Sequence, residues 1–248
     1  MRLKMIAYKA LYRELSLLTA KCGNFVDMTY MRQGLHDTPV LLAQALQEEI
    51  DKIDAGEDLH TYHSYYSSRD FDAILLGYGL CSNGTVGLSS KRYPLVVPRA
   101  HDCITLFLGS KEKYKEYFDR HSGTYWYNAS WIENGGTPSE ETEKDMLRVY
   151  AEKYGEENAE FLLYTELTGN YNRCAYVKWK ELPFPQYEEY TRRAAEHYGW
   201  EFNCVEGDAR LMEEFLSGNW RNEDFLVVPP GKKIAADYLD GDRILSYE

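Results

Sequence analysis

Asp72-Ala73-Ile74-Leu75-Leu76-Gly77-Tyr78-Gly79 is an apolar run too short for a helix and closed by glycines, the pattern of a strand buried on both faces. Strands of that kind lie inside parallel sheets, where crossover helices cover both sides, so helical segments should flank this one. Upstream, residues 3–9 read as a short apolar strand, followed by a helix from Ala10 to about Lys21 with Leu11, Leu15 and Leu18 on one face and Gly23 as its C-terminal cap. Phe25 to Met31 reads as a second strand. Asp37-Thr38-Pro39 then supplies a capping residue and an early proline for a helix through Leu41, Leu42, Leu46 and Ile50 to about Ile53. Ala55 to Arg69 is polar and aromatic without a clear period, a loop or irregular helix. Downstream, Pro94 to Pro98 is a further strand, and a helix is expected from Ile104 to about Arg120.

The second half repeats this grammar. Arg173 to Trp179 reads as a strand, Gln186 to Tyr198 as a helix closed by Gly199, Glu201 to Val205 as a strand, Asp208 to Leu216 as a helix, and Phe225 to Val228 as a strand. Leu-Val-Val-Pro occurs at 95–98 and again at 226–229, which hints at duplication. Ser139 to about Thr165 is a long acidic helical stretch. The expected fold is therefore α/β: two Rossmann-like lobes with mostly parallel sheets, residues 1–135 and 171–248, joined by a helical bridge at 136–170.

Bulk composition narrows the function classes. With 44% hydrophobic and 27% charged residues the chain should fold as an ordinary globular protein. Lys plus Arg number 28 against 40 Asp plus Glu, and a net charge of -12 without a basic stripe argues against nucleic acid as a partner. No signal-like N-terminus and no membrane-length apolar run stand out, so a cytoplasmic protein is expected. The acidic balance is compatible with a homo-oligomer without requiring one. Five irregularly spaced cysteines do not make a disulfide scaffold. The 22 tyrosines are expected mostly on amphipathic helices, rings half-buried and hydroxyls wet.

In open α/β sheets, ligands bind beyond the carboxyl ends of the strands. Three strand ends then offer His36, Cys81, and the pair His101 and Cys103 on one edge of one sheet, whereas Cys22, Cys174 and Cys204 do not fall at such ends. His101 and Cys103 are two apart, and in an extended segment both would share a face and reach one ion. Thiolate and imidazole suit zinc or iron, an iron–sulfur cluster included, with Cys81 as a third ligand and His36 as a further candidate. The alternative is a metal-free reactive thiol, Cys81 or Cys103 as the catalytic group; Cys103 would begin the helix starting at Ile104, with His101 near to exchange a proton. A third option is that these are buried side chains with no chemistry.

Gly79, Ser82, Asn83 and Gly84 are candidates for holding a cofactor or small anion with backbone N–H groups. Phosphate-loop readings fail in detail. Thr85 stands where a Walker loop needs lysine, and Ser82 where a dinucleotide fingerprint needs its third glycine. Gly231-Lys232-Lys233 could close over an anionic substrate from a facing lobe. Arg99 and Asp102 are candidates for contacting ligands or substrate.

Taken together, Gly34-Leu35-His36-Asp37-Thr38-Pro39, Gly77 to Gly84, Pro98-Arg99-Ala100-His101-Asp102-Cys103, Leu108-Gly109-Ser110, Gly123-Thr124-Tyr125-Trp126 and Val227 to Gly231 resemble a prokaryotic domain family of unknown function. Its members occur mainly in anaerobes, often beside corrinoid-dependent methyltransferase systems. The resemblance spans nearly the whole chain. It implies that the glycine–cysteine loop and the His-x-Cys element are family signatures, and it brings no activity with it. His-x-Cys with a distant Cys is also similar to the zinc-ligand pattern of barrel methyltransferases that methylate thiols, although those are longer barrels and Cys81 here precedes the pair.

Three functions are therefore expected as alternatives: a Cys/His metal protein acting on a small molecule or a methyl or thiol carrier, a cofactor-free cysteine enzyme at an interlobe cleft, and a non-catalytic accessory protein of a corrinoid methyltransferase system. In all three, a corrinoid would enter only through a partner protein or methyltransferase.

Overall fold

A computed structural model describes residues 1–35, 38–57, 70–80, 83–237 and 244–248. Along the chain come β1 (Arg2–Tyr8), α1 (Tyr12–Lys21), β2 (Phe25–Met31), α2 (Pro39–Ala55), β3 (Ala73–Gly77), β4 (Leu95–Pro98) and α3 (Ile104–Leu108). There follow α4 (Lys111–Arg120), β5 (Thr124–Tyr127), α5 (Ala129–Glu133), α6 (Glu143–Tyr154), α7 (Glu156–Asn170), β6 (Arg173–Lys178), α8 (Pro185–Tyr198) and β7 (Glu201–Glu206). The last elements are α9 (Arg210–Ser217), β8 (Phe225–Val228), β9 (Ile234–Ala236) and β10 (Leu245–Tyr247). The protein is α/β with mostly parallel sheets. The chain divides into two compact units, Met1–Ser110 with Ala209–Glu248, and Lys111–Asp208.

The first unit is built on a five-stranded sheet of order β2-β1-β3-β4-β8, parallel throughout except for β8. Leu3 to Tyr8 and all of β3 are buried, as central strands covered on both faces must be. Lys4 is buried too. Its ammonium meets Asp27 at 2.6 Å, and the two are register partners across β1 and β2. Helix α9 packs on α1 and α3, and Phe215 stacks on Phe225 at 5.2 Å.

The second unit carries the parallel sheet β5-β6-β7. Its core joins Tyr127, Cys174, Tyr176, Tyr190 and Trp200 to Leu163 and Leu167 of α7, with Met146, Leu147 and Tyr150 of α6 packed against it. The tyrosines here depart from expectation. Tyr127 is buried outright and donates its hydroxyl to the Pro138 carbonyl at 2.6 Å, while Tyr190 donates to Ser139 Oγ at 2.7 Å. A buried phenol is tolerated once its hydroxyl is bonded, so these rings serve as core rather than as a wet surface.

Several expected boundaries move. The chain does not divide at 135 and 170: α6 and α7 supply core side chains to the second unit instead of bridging two lobes. Nor does 171–248 form a lobe of its own, because β8 crosses back to the first sheet as its antiparallel edge. The repeated tetrapeptides are therefore not equivalent strands of two sheets; they are neighbours, Leu95 opposite Val228 and Val96 opposite Val227. The helix expected from Ile104 to Arg120 breaks at Gly109, left-handed at φ 71°, into α3 and α4. Helix α1 ends at Cys22, whose extended backbone leaves no left-handed cap for Gly23 to make.

Candidate functional site

Strand β1 is followed in sequence by β2 on one side and, after α2, by β3 on the other, so the connections diverge at the carboxyl ends of β1 and β3. Such a switch point leaves a crevice between outgoing loops. At β3 the exit is close-packed. A Cβ on Gly77 would lie 2.8 Å from the Ala7 Cβ and 2.9 Å from the Met5 Cε. Tyr78 N–H then bonds the Leu76 carbonyl at 2.8 Å, a tight turn that ends the strand. The Tyr78 ring lies 6.1 Å from that of Tyr8 at the end of β1, both buried.

Strand β4 ends in the same way, with Ala100 N–H on the Pro98 carbonyl at 2.9 Å. The two loops then meet. Leu80 N–H donates to the Ala100 carbonyl at 2.7 Å, and a Cβ on Gly79 would stand 2.8 Å from both the Cα and the carbonyl carbon of Asp102. Only glycine admits that approach. Gly79 and Leu80 thus pack directly on the segment Ala100–Asp102. Asp102 Oδ1 accepts the Ile104 N–H at 2.9 Å, spanning Cys103 and starting α3.

Cys103 occupies the position before α3, as expected, with a helical backbone and a side chain 8% exposed. His101 is exposed. The segment 101–103 is a bend and turn rather than an extended stretch, so the alternation that would put His101 and Cys103 on one face does not operate there. Gly79 is packed on the second loop. Asn83 is left-handed at φ 72°, and Gly84 is buried beside it. Cys81, Ser82 and His36 lie outside the described residues. Among the described residues, no group of three or more His, Cys, Asp or Glu side chains is placed to hold a metal ion.

Arg99, offered by the sequence as a substrate group, is committed to structure. It is 5% exposed, donates Nε to the Asn222 carbonyl at 2.8 Å and Nη2 to Asn222 Oδ1 at 3.0 Å, and donates Nη1 to the Leu245 carbonyl. Gly231-Lys232-Lys233 belongs to the same unit as the glycine loop rather than to a facing lobe. Gly231 N–H bonds the Ser90 carbonyl at 2.8 Å, and Gly87 N–H bonds the Ile234 carbonyl at 2.8 Å. Thr85 stands in the Walker-lysine position. Its side chain is fully buried and its hydroxyl has no hydrogen-bond partner among the described residues.

Two of the cysteines away from this edge, Cys174 and Cys204, have raised thiol pKa values. Burial pushes the Cys174 thiol up to about 12, with the neighbouring Tyr127 lowering it by less. Cys204, in β7, is also raised, by burial and then by Glu188. A thiol held protonated is a poor nucleophile and ligand.

A family model described as protein of unknown function, DUF1638, matches residues 30–216. The chain belongs to the DUF1638 family. The DUF1638 match takes in the loops after β2, β3 and β4 and the whole second unit, and it ends within α9, before β8. No curated protein and no solved structure matches the chain. No helix among the described residues is long and apolar enough to cross a membrane.

Proposed function

We propose that the paired loops after β3 and β4 form the working site, and that its chemistry is that of a thiolate and imidazole centre. In this reading Cys103 and Cys81, with His101 and His36, hold zinc or iron and act on a small molecule or on a methyl or thiol carrier. Each unit is read as a Rossmann-like open sheet, the larger one carrying the site. A corrinoid enters only through a partner protein, and nucleic acid is not a substrate of so acidic a chain.

One observation carries the reading: the Gly79 and Asp102 backbones are in contact, which joins the segment leading into Cys81 to the segment containing His101 and Cys103. Soft donors on two loops joined at a switch point suit a tetrahedral ion with one position open to substrate. His101, on the surface, has to turn inward to share an ion with Cys103, so ion binding should order the 101–103 bend.

The test is metal content after anaerobic purification. About one zinc or iron per chain is expected in the wild type and in Cys204→Ser, with loss in Cys103→Ser and in Cys81→Ser. A metal-free wild type, or unchanged content in Cys103→Ser, removes the proposal. A second reading is favoured by the unequal exposure of the pair: a sheltered Cys103 thiol as nucleophile or base, with His101 at the rim exchanging protons with substrate. It requires no metal and selective alkylation of Cys103 in the native chain at neutral pH.

A further inference from the structure

The edge of the five-stranded sheet opposite β2 is β8, and it borders a cavity of about 500 Å3 within the first unit. What β8 offers that cavity follows from its hydrogen-bond parity. Arg99 N–H donates to the Asp224 carbonyl at 2.8 Å, and the register continues as Val97 opposite Leu226 and Leu95 opposite Val228. In an antiparallel pair, bonded residues alternate with non-bonded ones. Leu226 and Val228 therefore turn their amides and carbonyls toward β4, as Asp224 does its carbonyl, while Phe225 and Val227 turn theirs away. The Phe225 N–H is already taken, by the Arg221 carbonyl at 2.9 Å. Val227, 38% exposed, remains as the residue presenting both an N–H and a C=O at the cavity wall.

The other walls are aromatic and polar. Trp220 and Tyr247 contribute rings, and the indole is fixed by its N–H on the Phe215 carbonyl at 2.8 Å. Arg99 and Asn222, bonded to each other, make a rigid polar wall, and Asp237 adds a carboxylate. A cavity of this size suits a small molecule. Strand addition fits poorly, because a peptide ladder needs a succession of outward donors and acceptors and β8 has one full pair. A single adjacent donor and acceptor matches the edge of a planar nitrogen heterocycle, whose faces pack on aromatic rings. We infer that this cavity binds a nucleobase-type heterocycle, its donor–acceptor edge on the Val227 backbone and its ring against Trp220 and Tyr247. The loop that carries Cys103 contributes Arg99 to this wall, and the inference stands whether or not that loop holds a metal.

Calorimetric titration of the full chain with adenosine, and separately with guanosine, tests the inference. Saturable binding of at least one is expected, weakened about tenfold or more in Val227→Pro, which removes one hydrogen-bond donor. That N–H points away from β4, so proline at this edge position should leave the ladder and the circular dichroism intact. Tyr247→Ala should weaken binding comparably if Val227→Pro fails to fold. Three results overturn the inference: no binding of either nucleoside at low-millimolar concentration, binding indifferent to Tyr247→Ala and Val227→Pro, or preference for an acetylated Thr-Val-Thr-Val peptide, which assigns the edge to strand addition.

Discussion

Gly79 lies so close to Asp102 that a single added carbon would stand 2.8 Å from the Asp102 Cα. The glycine is required by space and not by backbone angle, since Gly79 is absent from the left-handed positions. Gly79→Ala must therefore push the loops after β3 and β4 apart. Overpacking of this kind costs roughly 1–3 kcal/mol, measurable in urea denaturation. The same substitution should lower the affinity of any ligand or ion that bridges the two loops. Gly87→Ala, with open space around its Cβ but φ 87°, should lose about 1 kcal/mol by strain alone and leave such binding unaltered.

Lys4 and Asp27 make a charge pair whose lysine is 1% exposed. Asp27→Ala would leave the ammonium buried without its cross-strand partner, and a loss of about 3 kcal/mol in chemical denaturation is expected. The double variant Lys4→Met with Asp27→Leu should recover most of that loss, because a buried pair gains little over well-packed apolar side chains.

The central strands were legible in the sequence, and β8 was not, for a physical reason. An apolar run ending in glycines states that a segment is buried. It does not state which sheet receives it or in which direction. Leu95 to Pro98 and Leu226 to Pro229 read alike, yet one is an interior parallel strand and the other its antiparallel neighbour. Their direction is set by contacts distant in sequence, Arg99 with Asn222 and Leu245. Strand β5 was missed because Thr124-Tyr125-Trp126-Tyr127 has no apolar alternation; its aromatic residues are read as strand only once Tyr125 pairs with Cys174. At the candidate site, the rule about strand ends brought out both loops, while their mutual contact depends on Gly79 having no side chain, which no spacing records.

Above pH 9 the fold should weaken, and Cys174 is one cause. Burial raises its thiol from 9.0 to about 12 in the folded chain. Between those values the unfolded chain releases this proton and the folded chain keeps it. The unfolded state therefore binds fewer protons, and stability falls as pH rises, by up to about 1.4 kcal/mol per pH unit from this group. Below pH 9 the group contributes no slope. Denaturation midpoints taken from pH 8 to pH 11 should decline, and Cys174→Ala should flatten the decline while lowering stability at pH 8. Tyr127, raised by burial in the same core, should maintain a residual slope in that variant at the alkaline end.

The Asp102 carboxylate separates structure from chemistry at the site. Its Oδ1 accepts the Ile104 N–H at 2.9 Å, closing a turn around Cys103 and holding that thiol at 8% exposure. Asp102→Asn keeps an accepting oxygen, so the turn should persist. Asp102→Ala loses it, at about 1 kcal/mol, as for the loss of a helix cap. If the carboxylate only shapes the turn, alkylation of Cys103 should accelerate in Asp102→Ala and remain near wild type in Asp102→Asn, with Cys204 as the exposed reference thiol. If its charge also acts on the thiol or on a bound ion, Asp102→Asn should preserve stability and still change the rate of Cys103 alkylation. Mass-spectrometric rates for both cysteines at neutral pH distinguish the two, because Asp102→Asn retains the accepting oxygen that shapes the turn and removes the charge.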